Sequence, residues 1–320
     1  MQQPQHDFLH QLVSKLVPGQ KLADAVGAVI GISKSEAYKK ITGKTLLTLP
    51  QIQLLCDHFN INFAIHGEQN RSSSIVNFAP FHTGKISVRD YINSLEMFLQ
   101  DIASANQKKI TCATDDIPLF HLFKYPELTA FKFHFWQMRV IDKAPFKLNM
   151  NDWGASVLKP AANMHELYLQ IPSVEVWTKT SLLNTLEQIK YAAEAGIITD
   201  KKLGKLICSQ LRDAIGDIEL YAVNRSKQSN NEVLFDWYFY DIIGTITYLA
   251  EMDERLVTYI RFNTFNTICE ENGSLCIEVK HWLNSLIQDA TGFSGQGSVQ
   301  RNKYLANAYE QCDAMENLFS

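Results

Sequence analysis

The sequence predicts an α+β chain, mainly helical with a smaller β part. It divides into an N-terminal helix-turn-helix bundle and a larger helical domain containing a small antiparallel sheet. Three observations predict this. Residues 1–67 hold short amphipathic segments punctuated by Gly, Pro and capping residues. Residues 88–223 carry long apolar runs at helical spacing. Residues 233–265 turn instead to aromatic and β-branched types, interrupted by Gly244 and by Met252-Asp253-Glu254.

The first helix is expected over Asp7–Val17, where Phe8, Leu9, Leu12, Val13 and Leu16 repeat at helical spacing and Pro18-Gly19 ends the run. The segment KLADAVGAVIGISKSEAYKKITG, Lys21–Gly43, reads as a helix-turn-helix. Lys21–Ile30 is its first helix, Gly31-Ile32 the turn and Ser33–Thr42 its second helix. Ala23 and Gly27 let the two approach closely. Gly31 can take the positive φ that ends a helix. Ser33 and Glu36 have the spacing of a capping box. Val26, Ile30, Ala37 and Ile41 form the inner stripes, and Gly43 stops the second helix. Thr48-Leu49-Pro50-Gln51 is a second capping box, opening a fourth helix with Ile52, Leu55 and Phe59 inside.

Lys34, Ser35, Tyr38, Lys39 and Thr42 are left outward on the second helix. With Ser33 at its start and Lys44 beyond Gly43, they are the expected DNA-binding residues. Lys34, Ser35, Tyr38 and Lys39 suit base edges and Lys44 suits phosphate. Charge agrees with this placement. Residues 1–67 hold six Lys against four acidic residues, a net of +2, while the whole chain carries −4.

GISKSEAYKKITGK followed by LPQIQLLCDHFNI resembles the DNA-binding end of a group of bacterial helix-turn-helix regulators. These are λ-repressor/Cro-like domains joined to a long C-terminal region of unassigned role. DDIPLFHLFKYPELTAFK, SVEVWTKTSLLNTLEQIKYAAEAG and EVKHWLNSLIQDATGFSG are similar to the same regulators. The chain departs from the commonest repressor form at Ala37, where a large aliphatic residue is usual. The resemblance implies a sequence-specific DNA-binding transcription regulator of one-component type. It is expected to bind double-stranded DNA as a homodimer, through residues 1–67. The alternative is a protein-interaction module tethered by its helix-turn-helix domain.

His66–Ser74 is polar and serine-rich, so residues 68–74 are expected to be a linker to a regulatory or dimerisation region, 75–320. Within it, 75–224 is expected to be helical and 225–320 to hold the sheet with further helices. Short strands at Ile75–Ala79 and Lys109–Ala113, flanking a helix at Val88–Ala105, suggest a βαβ crossover. Asp116 is expected to cap a helix. A central helix, apolar nearly all round, begins at Pro126. Helices are then expected at Ala161–Gln170, Val174–Ala195 and Asp200–Val223. A three-stranded antiparallel meander follows over Val233–Ile243, Thr245–Ala250 and Leu256–Phe265. Ile277–Ala290 and Arg301–Leu318 are the last two helices.

No catalytic constellation stands out, and the chain is not expected to be an enzyme. Asp115-Asp116 and Glu270-Glu271 are adjacent pairs that do not face each other. His134, His165 and His281 lack triad partners at any telling spacing. Cys269 and Cys276 with His281 are too widely spaced for structural zinc, so no metal and no cofactor are expected. Gly292–Gly297 is glycine-rich but lacks the Lys-Ser/Thr ending of a phosphate loop. The six scattered cysteines, and the lack of a signal peptide or an apolar run of membrane length, suggest a cytoplasmic protein without a membrane partner. A regulator needs an input, so residues 75–320 are read as dimerising, sensing a signal, or both; the aromatic density of 117–140 and 233–248 suits a pocket for an unspecified small-molecule effector and core packing equally well.

Overall fold

The computed structural model describes residues 3–13, 15–17, 19–59, 61, 63, 76–78, 87–141, 145–229, 232–261 and 266–320. Backbone contacts divide the chain into two compact units, Met1–Ile75 and Val76–Ser320. The expected linker, 68–74, lies outside the described residues.

The described residues of the first unit form four helices: α1 (Gln3–Val13), α2 (Leu22–Ile30), α3 (Lys34–Ile41) and α4 (Leu49–Phe59). Local signals place their ends. Gly31 closes α2 with φ 69°, a left-handed conformation that costs glycine nothing. The Ser33–Glu36 capping box starts α3. Thr48 and Gln51 exchange the equivalent bonds at α4: the Thr48 N–H donates to Gln51 Oε1 at 3.1 Å, and the Gln51 N–H to Thr48 Oγ1 at 3.4 Å. Phe8, Leu9, Leu12, Val26, Ala37, Leu47 and Leu55 form the core. At its centre Ala37 meets Gly27, where an added Cβ would lie 3.0 Å from the Ile32 carbonyl oxygen and 3.8 Å from the Ala37 Cβ.

The second unit is built on one eight-stranded mixed sheet, not a small antiparallel one. Its strands are β1 (Asn77–Phe78), β2 (Lys108–Thr114), β3 (Ser173–Trp177), β4 (Phe235–Phe239), β5 (Ile246–Met252), β6 (Arg255–Arg261), β7 (Thr267–Glu271) and β8 (Thr291–Gly292). They lie in the order β1-β7-β6-β5-β2-β3-β4-β8. The pairs β2–β3 and β3–β4 are parallel and the others antiparallel. Parallel neighbours require crossovers. α6 (Leu119–Leu122), α7 (Pro126–Trp136) and α8 (Ala155–Tyr168) connect β2 to β3, and α9 (Leu183–Glu194) with α10 (Lys201–Asn224) connects β3 to β4.

Period-two alternation divides the strands between two cores. Ile110, Trp177, Phe235, Trp237, Ala250 and Val257 join the main core with α5 (Val88–Ser104) and the crossover helices. Ala113, Val176 and Leu249 face α11 (Ser274–Asp289) through Val279, Leu283 and Leu286. The last helix, α12 (Val299–Asn317), adds Leu305, Ala308 and Cys312 to the main core.

Three sequence expectations fail here for one reason, namely partners that lie far away in sequence. Ser173–Trp177 is a strand and not the start of a helix, with Glu175 inside. β1 and β2 share the sheet but are separated by β7, β6 and β5, so no simple βαβ unit joins them. β4 pairs with β3 and β8, so among the described residues of the expected meander it is β5 and β6 that pair with each other. The sheet therefore draws strands from both sides of residue 224.

The close approach at Ala37 gives a test. Ala37 is fully buried, and a single methyl group at Gly27 would already bring the two side chains to van der Waals distance, 3.8 Å. Ala37→Leu, which restores the bulk common in repressors, should overpack this contact and destabilise the first unit by about 1–3 kcal/mol. Thermal unfolding of the full chain is the measurement. An unchanged or raised transition for the first unit would show that α3 has room to shift.

Candidate nucleic-acid interface

The second helix of the helix-turn-helix presents one polar face. Lys34, Ser35, Tyr38, Lys39, Thr42 and Lys44 together line an open concavity of about 550 Å³. All six are exposed, and Tyr38 keeps 63% of its surface in solvent. The sequence-predicted residues thus converge on one surface, with the exception of Ser33. The Ser33 hydroxyl accepts the Glu36 N–H at 3.2 Å, and Glu36 Oε2 accepts the Ser33 N–H at 3.3 Å. Ser33 positions α3 and does not line the concavity.

The cations are not equivalent. Lys34 Nζ lies 2.7 Å from Asp24 Oδ1 and 2.9 Å from Oδ2, an ion pair between α2 and the first turn of α3. Lys40 Nζ turns back to the Leu46 carbonyl at 2.8 Å. Among the described residues, Lys39 and Lys44 form no ion pair. The Thr42 hydroxyl donates to the Tyr38 carbonyl at 2.9 Å, closing the last turn of α3. What faces outward is an aromatic ring, a threonine whose proton is already engaged, and two unpaired ammonium groups.

Gln5 holds this face in place. Its Nε2 donates to the Lys40 carbonyl at 2.7 Å and the Thr45 carbonyl at 3.0 Å, and its Oε1 accepts the Leu47 N–H at 2.7 Å. Those three bonds fasten the segment after α3, Lys44 included, to α1. Nothing in the sequence around Gln5 marks it for this task.

The second unit gathers polar chemistry of another kind in two buried clusters. Asp116 does not cap a helix. It pairs with Lys132 of α7 at 3.0 Å, and Thr185 Oγ1 and Gln188 Oε1 also accept from Lys132 Nζ, at 3.0 and 2.9 Å. Burial draws the Lys132 ammonium below the ordinary lysine range, against the pull of Asp116. Glu175, in the middle of β3, lies 2.9 Å from His121 Nε2 and accepts from the Tyr168 hydroxyl and from Trp177 Nε1. Burial alone would raise its carboxyl. His121, Lys227 and the Tyr168 hydroxyl outweigh burial, and Glu175 sits below the usual carboxylate value of 4.5. Lys227 Nζ donates to the Tyr168 and Ile171 carbonyls at 3.0 and 2.7 Å, capping the end of α8. Side chains of Lys132, Asp116, His121 and Glu175 are at most 8% exposed.

The other motifs take structural places. Glu270 accepts the Cys276 N–H at 3.0 Å and caps α11. His134 and His165 are held below the ordinary histidine value, mainly by burial, and His281 is exposed. The loop Gly292–Gly297 has the wrong polarity for phosphate: its Phe293 and Gly295 carbonyls grip Arg301 Nη1 at 2.7 and 2.6 Å. Among the described residues, no three His, Cys, Asp or Glu side chains converge as metal ligands, and no helix is long and apolar enough to cross a membrane.

The chain matches no protein-family model, no curated protein and no solved structure.

The depressed Glu175 carboxyl makes a pH prediction. Its stabilisation is present above pH 4.5, the unfolded value, and is lost as pH falls through the lower folded value. Glu175→Gln should cost the second unit ~1–3 kcal/mol at neutral pH, because the buried Tyr168 hydroxyl and Trp177 Nε1 lose the charged acceptor they donate to. The variant should lose less further stability below pH 4.5 than the parent does. Urea titrations from pH 3 to 7 read both effects. Parallel stability–pH curves for the two chains would contradict the assignment.

Proposed function

We propose that the first unit binds double-stranded DNA in the major groove through α3, and that the chain is a transcription regulator. One observation carries this: the exposed Lys34, Ser35, Tyr38, Lys39, Thr42 and Lys44 converge on one open surface, with Lys39 and Lys44 unpaired among the described residues. The α2–turn–α3 geometry supports it. Gly31 and the Ser33–Glu36 box hold α3 with its apolar side on α2 and its basic side outward. A fold-only role has no use for two unpaired ammonium groups beside an exposed tyrosine, whereas a polyanion does.

One copy presents one recognition helix. Specific affinity in this class of motif generally comes from two, about 34–36 Å apart. We therefore propose a homodimer joined through residues 75–320, since the apolar stripes of the first unit are used within it.

The ion pair changes what each lysine is expected to contribute. Lys39→Ala should weaken binding to a preferred duplex about tenfold or more and relax sequence preference. Lys44→Ala should weaken all duplexes equally and reduce the magnitude of the salt slope by about one. Lys34→Ala should lose less than either, because Asp24 already neutralises Lys34. Asp24→Asn should release Lys34 and tighten binding. Fluorescence anisotropy with specific and scrambled duplexes at several salt concentrations measures all four variants. A parent chain that binds no duplex, or a Lys34→Ala loss larger than that of Lys39→Ala, would contradict the assignment.

A further inference from the structure

The chemistry of the outward face of α3 bears on which DNA sequence the helix prefers. The outward face is not uniformly polar. Lys34, which begins the helix, is drawn back onto Asp24 at 2.7 Å. Thr42, which ends it, has its hydroxyl proton committed to the Tyr38 carbonyl at 2.9 Å, so it can offer bases its methyl group and acceptor lone pairs but no donor. Between them stands Tyr38, four residues from each and on the same helical face, with its ring 63% exposed. The middle of the surface is thus the Tyr38 ring, with Thr42 one turn further along, and Lys39 and Lys44 are cations on the same surface.

In the major groove the one apolar feature on a base edge is the 5-methyl group of thymine. We propose that Tyr38, with the Thr42 methyl beside it, is a thymine-reading contact, and that the preferred half-site places one or two thymine methyl groups against this ring. Lys39 supplies the neighbouring donor for guanine O6 and N7. The inference rests on the DNA-binding reading above and adds the base chemistry that the site selects.

The test uses the full chain. Duplexes are enriched from a randomised pool, and each thymine of the enriched site is then replaced by deoxyuridine, which removes only the methyl group. At one or two positions affinity should fall about fourfold per methyl. Tyr38→Ala should bind the thymine and uracil duplexes equally, and Tyr38→Phe should keep the discrimination. Tyr38 is exposed, so an unchanged unfolding temperature should accompany both variants. An enriched site bound equally with uracil, or one lacking thymine near the contact, overturns the inference while leaving DNA binding in place. A preference for the matching RNA, which lacks the methyl group, also overturns it. Enrichment of no duplex at all removes the DNA-binding reading and the inference together.

Discussion

The geometry of the exposed basic surface on α3 depends on the packing of Gly27 of α2 beside Ala37 of α3. Ala37 is fully buried, and Gly27 has no side chain to hold it away. Two small residues bring the helix axes together, where a larger pair would keep them apart. Once that contact is made, helical periodicity fixes the rest. Ile41 follows Ala37 inward by one turn, and Tyr38, Lys39 and Thr42 turn outward. The Ser33–Glu36 box and the left-handed Gly31 set where α3 starts. Gln5 fastens the segment that follows it. Each of these devices acts on the direction of one eight-residue helix, too short to be stable without packing.

The second unit solves a different problem. A mixed sheet with parallel central strands is buried on both faces, and its crossover helices must be tied to it. Buried charges do part of that work. Asp116, just after β2, holds Lys132 of α7, and Thr185 of α9 donates to the same carboxylate. Glu175 of β3 gathers His121 and Tyr168 from the crossover. Both clusters have a hydrogen-bonded partner for the charge they bury, the condition under which ions are tolerated in an interior. Their burial separates them from the exposed surface on α3, where charge is unpaired and available.

How much of this was legible in the sequence follows from the range of the interactions. The first unit is governed by contacts a few residues apart: Ser33 with Glu36, Gly31 with its own turn, Thr48 with Gln51. Those patterns are visible in a linear chain. The second unit is not so readable. Glu175 looks like the polar face of a helix until its partner His121 is known, and that residue lies 54 positions earlier. Asp116 has the look of a cap because its neighbour is Ile117-Pro118, yet its carboxylate is claimed by Lys132 and Thr185. On the candidate interface the residue types and the outward face were readable from spacing. The pairing of Lys34 with Asp24 was not, since it depends on the angle between two helices.

Hydrogen exchange of the full chain, with and without a bound duplex, tests the central claim most directly. If α3 is the groove-binding helix, the duplex should slow exchange of the amides in α3 and the segment through Lys44, and the sheet of the second unit should be little changed. Protection confined to the second unit, with Lys34–Lys44 unaffected, would contradict it.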